Sequence, residues 1–144
     1  YEPLDPKLLP NVYVAYQTAL SEGTEVFHNN VRERFNQGDP TVVNAMEQWA
    51  GYAQQAHEAL LARDHDALDR LINANFDLRA SIYRISEGNL AMIRVSRAVG
   101  ATSNFAGSGG AIVGTYQDEA MYNNLVAELA RIGVAVIKPK ILPL

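Results

Sequence analysis

The 144 residues carry 12 Lys and Arg against 16 Asp and Glu, for a net charge of −4, and 48% of them are hydrophobic. A chain of this size buries roughly 70% of its unfolded surface as one compact domain, and the composition argues against disorder. The acidic balance and scattered basic residues leave no electrostatic footprint for DNA or RNA, and the absence of cysteine excludes disulfides and thiolate chemistry.

The chain opens at Tyr1 on the proline-rich "YEPLDPKLLP", with the look of an interior stretch of a longer protein or of a processed start. Asn11 to Gln17 alternates Val12, Val14 and Tyr16 against Tyr13 and Ala15, which predicts a strand. Phe27, Val31 and Phe35 then recur at helical spacing, with Gly38 as a stop. Asp39-Pro40 supplies an N-cap and a proline at the first helical position. The helix it opens carries Val42, Met46, Trp49, Ala53, Ala56 and Leu60 on one face, to about Arg63. Another begins near Asp66, with Leu68, Leu71, Ile72, Leu78 and Ile82 pointing one way, and its acidic start "ARDHDALD" suits the helix dipole. A fourth starts after Ser86, runs through Leu90, Ile93 and Arg97, and stops at Gly100.

The period then changes. "ATSNF" (101–105) and "AIVGTY" (111–116) read as strands around a glycine loop, followed by a helix opened by Asp118 and Glu119 and closed by Gly133. Val134 to Ile141 reads as a last strand, which Pro139 confines to an edge or ends. The order β-α-α-α-α-β-β-α-β, without repeats or interior linkers, predicts one α+β domain over residues 1–144, with a helical layer on a small antiparallel sheet. No apolar run reaches the ~18 residues that a membrane helix needs, and a cytoplasmic location is the expectation.

"SNFAGSGGAIVGTY" (103–116) is not a familiar nucleotide loop. No Lys-Ser/Thr follows its glycines, and they lead into a strand instead of a helix, so neither the Walker A nor the dinucleotide pattern fits. Two readings stand. One is a hairpin whose glycines take positive φ; the other is a backbone nest that lets N–H groups approach an anion. Elsewhere, Asp77 and Arg79 in "NFDLR" read either as a solvated helix face or as a substrate contact, with the Arg79 guanidinium gripping a carboxylate. His28 and Arg32 share a helix face and read as surface or as an anion contact. His28, His57 and His65 are too dispersed for a metal pattern, so no metal is expected on this chain alone. Met46, Trp49, Phe27, Phe35 and Phe76 are expected in the core, with Tyr13, Tyr16 and Tyr116 packing from strands.

The segment from Ser86 to Tyr116, a helix ending in Val-Gly-Ala before the glycine cluster and a buried strand, resembles the third conserved motif of the GHMP kinases. "YEPLDPKLLPNVYVAYQ", "FHNNVRERFNQGD" and "NANFDLRASIY" together resemble their glucuronokinase-like branch. The resemblance spans nearly the whole chain and implies the C-terminal, substrate-side domain of a two-domain sugar or sugar-acid kinase using ATP and Mg²⁺. The N-terminal domain that such a kinase needs for its nucleotide, with its Pro-x-x-x-Gly-Leu-Gly-Ser-Ser-Ala loop, is not in this chain. The chain alone is therefore expected to be inactive, with no catalytic residue of its own. The resemblance places Gly107, Ser108, Gly109 and Gly110 beside the substrate and the transferred phosphate, and it favours Asp77 and Arg79 as substrate contacts. Asn104 stands where the family motif has lysine, and Ala106 where it has Ser or Thr. The alternative is a stand-alone ligand-binding or regulatory module without catalysis.

Overall fold

The computed structural model describes residues 3–20 and 24–142, the side chains of 24–29 excepted. Short 3₁₀ turns at Pro6–Leu8 and Thr18–Leu20 flank β1 (Val12–Tyr16). Four helices follow: α1 (Thr24–Asn36), α2 (Pro40–Ala62), α3 (His65–Ile82) and α4 (Glu87–Ala98). Then come β2 (Asn104–Phe105), β3 (Ala111–Thr115), α5 (Glu119–Ala130) and β4 (Ala135–Ile137). The strands form one antiparallel sheet in the order β2-β3-β1-β4. This is the α+β arrangement that the sequence predicts.

Side-chain carboxylates start the helices as the sequence implies. Asp39, Asp64 and Asp118 accept from the amides of Thr41, Ala67 and Met121 at 2.8–2.9 Å, satisfying donors that a helix start leaves open. The Arg34 guanidinium, hydrogen-bonded to Asp39, holds that carboxyl below its usual range. Ser86 sits at the cap position of α4 but makes no capping bond.

The main core lies between one sheet face and α3, α4 and α5, around Tyr13, Ala15, Phe76, Met92, Ile112, Leu125 and Leu129. Tyr13 and Ala15 are buried, while Tyr16, on the alternate face, is exposed instead of packed. A second cluster joins α1, α2 and α3 through Val31, Val42, Ala45 and Ile82, with Met46, Trp49, Leu78 and Tyr83 against it.

Gly114 pairs with Tyr13 across the sheet, and a Cβ there would stand 1.8 Å from the Thr102 carbonyl. That room lets the Tyr13 hydroxyl donate to the same carbonyl at 2.8 Å. Burial pushes the Tyr13 hydroxyl up to about 12.

Four expectations need correction. The strand expected over 101–105 is regular only at Asn104–Phe105, because the Thr102 hydroxyl accepts the Thr115 amide at 2.9 Å in place of a carbonyl. The last strand ends at Ile137, two residues before Pro139, on an edge. Phe35 is 48% exposed, because α1 meets α2 through Val31 and leaves the next turn outside the cluster. Ala53 is exposed, and the buried positions of α2 are Val42, Ala45 and Ala59. The side chain of Phe27 lies outside the described residues.

Candidate functional site

The glycine loop occupies the β2–β3 turn. The Ala106 amide donates to the Ala111 carbonyl at 3.1 Å, closing the hairpin, and the Gln17 amide donates to the Gly110 carbonyl at 2.8 Å. Gly109 and Gly110 take φ of 144° and 75°, the left-handed side that side chains avoid. A side chain at Gly107 would meet no atom within 4 Å, and Ser108 is half-buried. The loop is therefore a tight hairpin turn with an open crest.

A helix start stands beside it after all, supplied by tertiary packing. Asn89, in the first turn of α4, is fully buried and accepts the Gly110 amide at 2.8 Å. Its Nδ2 donates to the Ser86 hydroxyl at 2.9 Å and to the Leu20 carbonyl at 3.3 Å. Sequence reasoning missed Asn89 as part of a site. A polar amide among the apolar positions of an amphipathic helix was the available signal, since such a group is buried only with partners.

Arg79 lies on α3 with its guanidinium 5.1 Å from the Phe105 ring centroid and 5.4 Å from that of Tyr83. Both distances suit cation–π contact. Its Nε is buried and bonded to nothing among the described residues. Desolvation by burial lowers its pKa, and the group remains cationic at neutral pH. Arg79 lines a pocket of about 250 Å³ with Met46, Trp49, Asn75 and Tyr83. Trp49 Nε1 donates to the Asn75 carbonyl at 3.3 Å, and Asn104 Nδ2 donates to Asn75 Oδ1 at 2.9 Å. Asn104 thus fixes one edge of this pocket with a neutral amide. An apolar groove of about 460 Å³ lined by Val31, Arg32, Phe35, Met46 and Tyr83 adjoins it. Phe105, which the guanidinium covers, directly precedes the loop in sequence, so pocket and loop share β2.

Asp77 does not join Arg79. Residues two positions apart on a helix lie about 200° apart around the axis. Asp77 turns to α4, where its carboxylate meets Arg97 Nη1 at 2.6 Å. Arg32 lines the groove beside the Arg79 pocket; the side chain of His28 lies outside the described residues. His65 is elsewhere, its Nε2 3.1 Å from the Leu8 carbonyl. Among the described residues no three His, Asp or Glu side chains gather as metal ligands, and no helix is long and apolar enough to cross a membrane.

No family model matches the chain. Among curated proteins it is 38% identical over 116 residues to glucuronokinase 1 of Arabidopsis thaliana, covering 78% of this chain and 32% of that protein. It is 33% identical to probable glucuronokinase 2 of the same plant, covering 99% of this chain and 40% of the relative. The chain thus spans about a third to two fifths of the relatives it matches. Among solved structures it superposes on L. major mevalonate kinase in complex with R-mevalonate with a TM-score of 0.76 at 22% identity, over 92% of this chain and 44% of that one. Streptococcus pneumoniae phosphomevalonate kinase matches with a TM-score of 0.69 at 12% identity, over 88% of this chain and 39% of that one. These two likenesses carry the fold, and the curated relatives carry the branch. The chain is thus similar to the glucuronokinases over part of their length, and together these likenesses support a glucuronokinase-like C-terminal domain with the GHMP kinase fold.

Proposed function

We propose that this chain is the substrate-side domain of an ATP-dependent kinase that phosphorylates a hydroxyl of a sugar acid, with Arg79 anchoring the acid's carboxylate. The observation that carries the reading is the Arg79 guanidinium: within cation–π distance of two aromatic rings, lining a pocket of about 250 Å³, with no carboxylate among the described residues paired to it. A half-buried guanidinium without a carboxylate partner costs some stability, and an anionic ligand offsets that cost. The names of the curated relatives supply the reaction class.

The described residues fit the acceptor better than the nucleotide. They gather no acidic cluster for Mg²⁺, and their glycine loop runs into β3 instead of opening a helix. ATP and Mg²⁺ are therefore assigned to a companion N-terminal domain of the same polypeptide, in the cytoplasm. Phosphoryl transfer is mainly positioning and electrostatics, and this domain's part is to bind and orient the acceptor. The carboxylate sits on Arg79, and the loop amides lie along the side that receives the phosphate. Ser108 supplies a hydroxyl at the loop crest. Asp77, committed to Arg97, acts on the substrate only through the rigidity of α3.

The test is a phosphorylation screen of the full-length protein over uronic acids, neutral hexoses and mevalonate-type alcohols. The expected result is turnover of a uronic acid with kcat/KM at least about a hundredfold above its neutral counterpart, the worth of a charge-assisted pair. Turnover of neutral hexoses alone would contradict the carboxylate anchor. Residues 1–144 alone are expected to show no turnover.

A further inference from the structure

We propose that Asn89 is a positioning residue that sets the shape of the glycine loop toward the acceptor, acting as a clamp on three segments. The inference rests on the reading of that loop as the substrate-side wall. Through one carboxamide, Asn89 ties together the loop at Gly110, the start of α4 at Ser86, and the turn after β1 at Leu20. These partners lie 21, 3 and 69 residues away in sequence, so the contact is a tertiary device and not a local cap.

The fit is specific to asparagine. An aspartate keeps the acceptor for Gly110 and loses the donations to Ser86 and Leu20; a leucine of similar size loses these and the acceptor; glutamine is a methylene longer in a fully buried site. The loop also passes directly over the carboxamide. A Cβ at Gly109 would lie 3.1 Å from Asn89 Nδ2 and 3.4 Å from Oδ1, on a backbone whose φ of 144° already favours glycine. Glycine at 109 and asparagine at 89 are therefore two halves of one contact.

The clamp divides the loop's donors. The Gly110 amide is committed to Asn89, so it is not available to a substrate. The Gly107 and Gly109 amides carry no hydrogen bond among the described residues. Asn89 thus touches no substrate, yet it withholds the Gly110 amide and leaves those of Gly107 and Gly109 to meet one.

The test uses the full-length enzyme with N89A, G109A and the double variant. N89A is expected to raise KM for the acidic sugar at least about tenfold, with KM for ATP within about twofold. G109A is expected to give the same split, and its effect in the N89A background to be smaller than in wild type, because the contact is already gone. A merely structural asparagine would lower the active fraction, and so kcat, with both KM values unchanged; that result overturns the proposal. Should N89A fail to fold, an unchanged acceptor KM in G109A overturns it alone. Failure of the function reading is separable, since a wild type that turns over no acidic sugar sinks that reading first. Amide exchange at Gly110 then judges the clamp directly: at least about tenfold faster in N89A supports it, and unchanged protection overturns it.

Discussion

The two faces of α3 each hold an arginine stacked on a phenylalanine, and they differ in what else those arginines touch. On the α4 side, the Arg97 guanidinium lies 5.2 Å from the Phe76 ring centroid and spends its terminal nitrogens on Asp77 at 2.6 Å and the Asn73 carbonyl at 3.0 Å. On the α2 side, Arg79 has the same stacking on Phe105 and on Tyr83 but neither a carboxylate nor a carbonyl among the described residues; in both arginines the buried Nε is left without a partner, so the difference lies in the terminal nitrogens. Phe76 and Phe105 meet edge to face at 5.4 Å, so the two arginines share an aromatic floor. The difference separates structure from function. Where polar groups find protein partners, the arrangement is self-sufficient; where a cation is held without one, the proposed reading has a ligand complete it.

The comparison breaks most severely at the shared floor. Phe76→Ala leaves a cavity under both arginines and is expected to cost about 3–5 kcal/mol in denaturant unfolding. Arg97→Ala should cost about 1–2 kcal/mol, mostly for the carbonyl bond and the packing, because the Asp77 carboxylate is largely exposed. Acceptor KM should not move in Arg97→Ala, and a rise in it would erase the contrast between the faces. Tyr13→Phe removes one satisfied buried bond and is expected to cost about 1 kcal/mol at neutral pH. Its pH dependence has a definite sign. The hydroxyl ionises near 10 when unfolded and about 12 when folded, so its stabilisation is complete below pH 10 and is lost as pH rises toward 12. Unfolding followed from pH 9 to 12 should show that decline in wild type, reduced in Tyr13→Phe.

Much of the architecture was legible because it is written locally. Asp39-Pro40 and Asp118 announce helix starts by their side-chain chemistry, and Tyr13 and Ala15 announce the buried face of β1 by alternation. Thr102 hid the true length of β2, because a hydroxyl substituting for a carbonyl leaves no trace in strand propensity. Phe35 kept the helical period of Val31 and yet faces outward, since periodicity gives a face and not how far along it the neighbouring helix reaches. Arg79 could be picked out as a candidate; its separation from Asp77 follows from helical geometry once α3 is placed. Asn89 could be flagged as a polar group on an apolar helix face, but its partners at Leu20 and Gly110 were beyond the sequence, because they come near only through packing.

On the proposed reading, Arg79 is an incomplete ion pair that a substrate carboxylate completes. The most direct test is the selectivity ratio of the full-length enzyme, kcat/KM for the acidic sugar over its neutral counterpart, in wild type and Arg79→Ala. A collapse of that ratio by about a hundredfold or more, in a variant that still unfolds cooperatively, is the predicted result. A ratio unchanged by the substitution would contradict it.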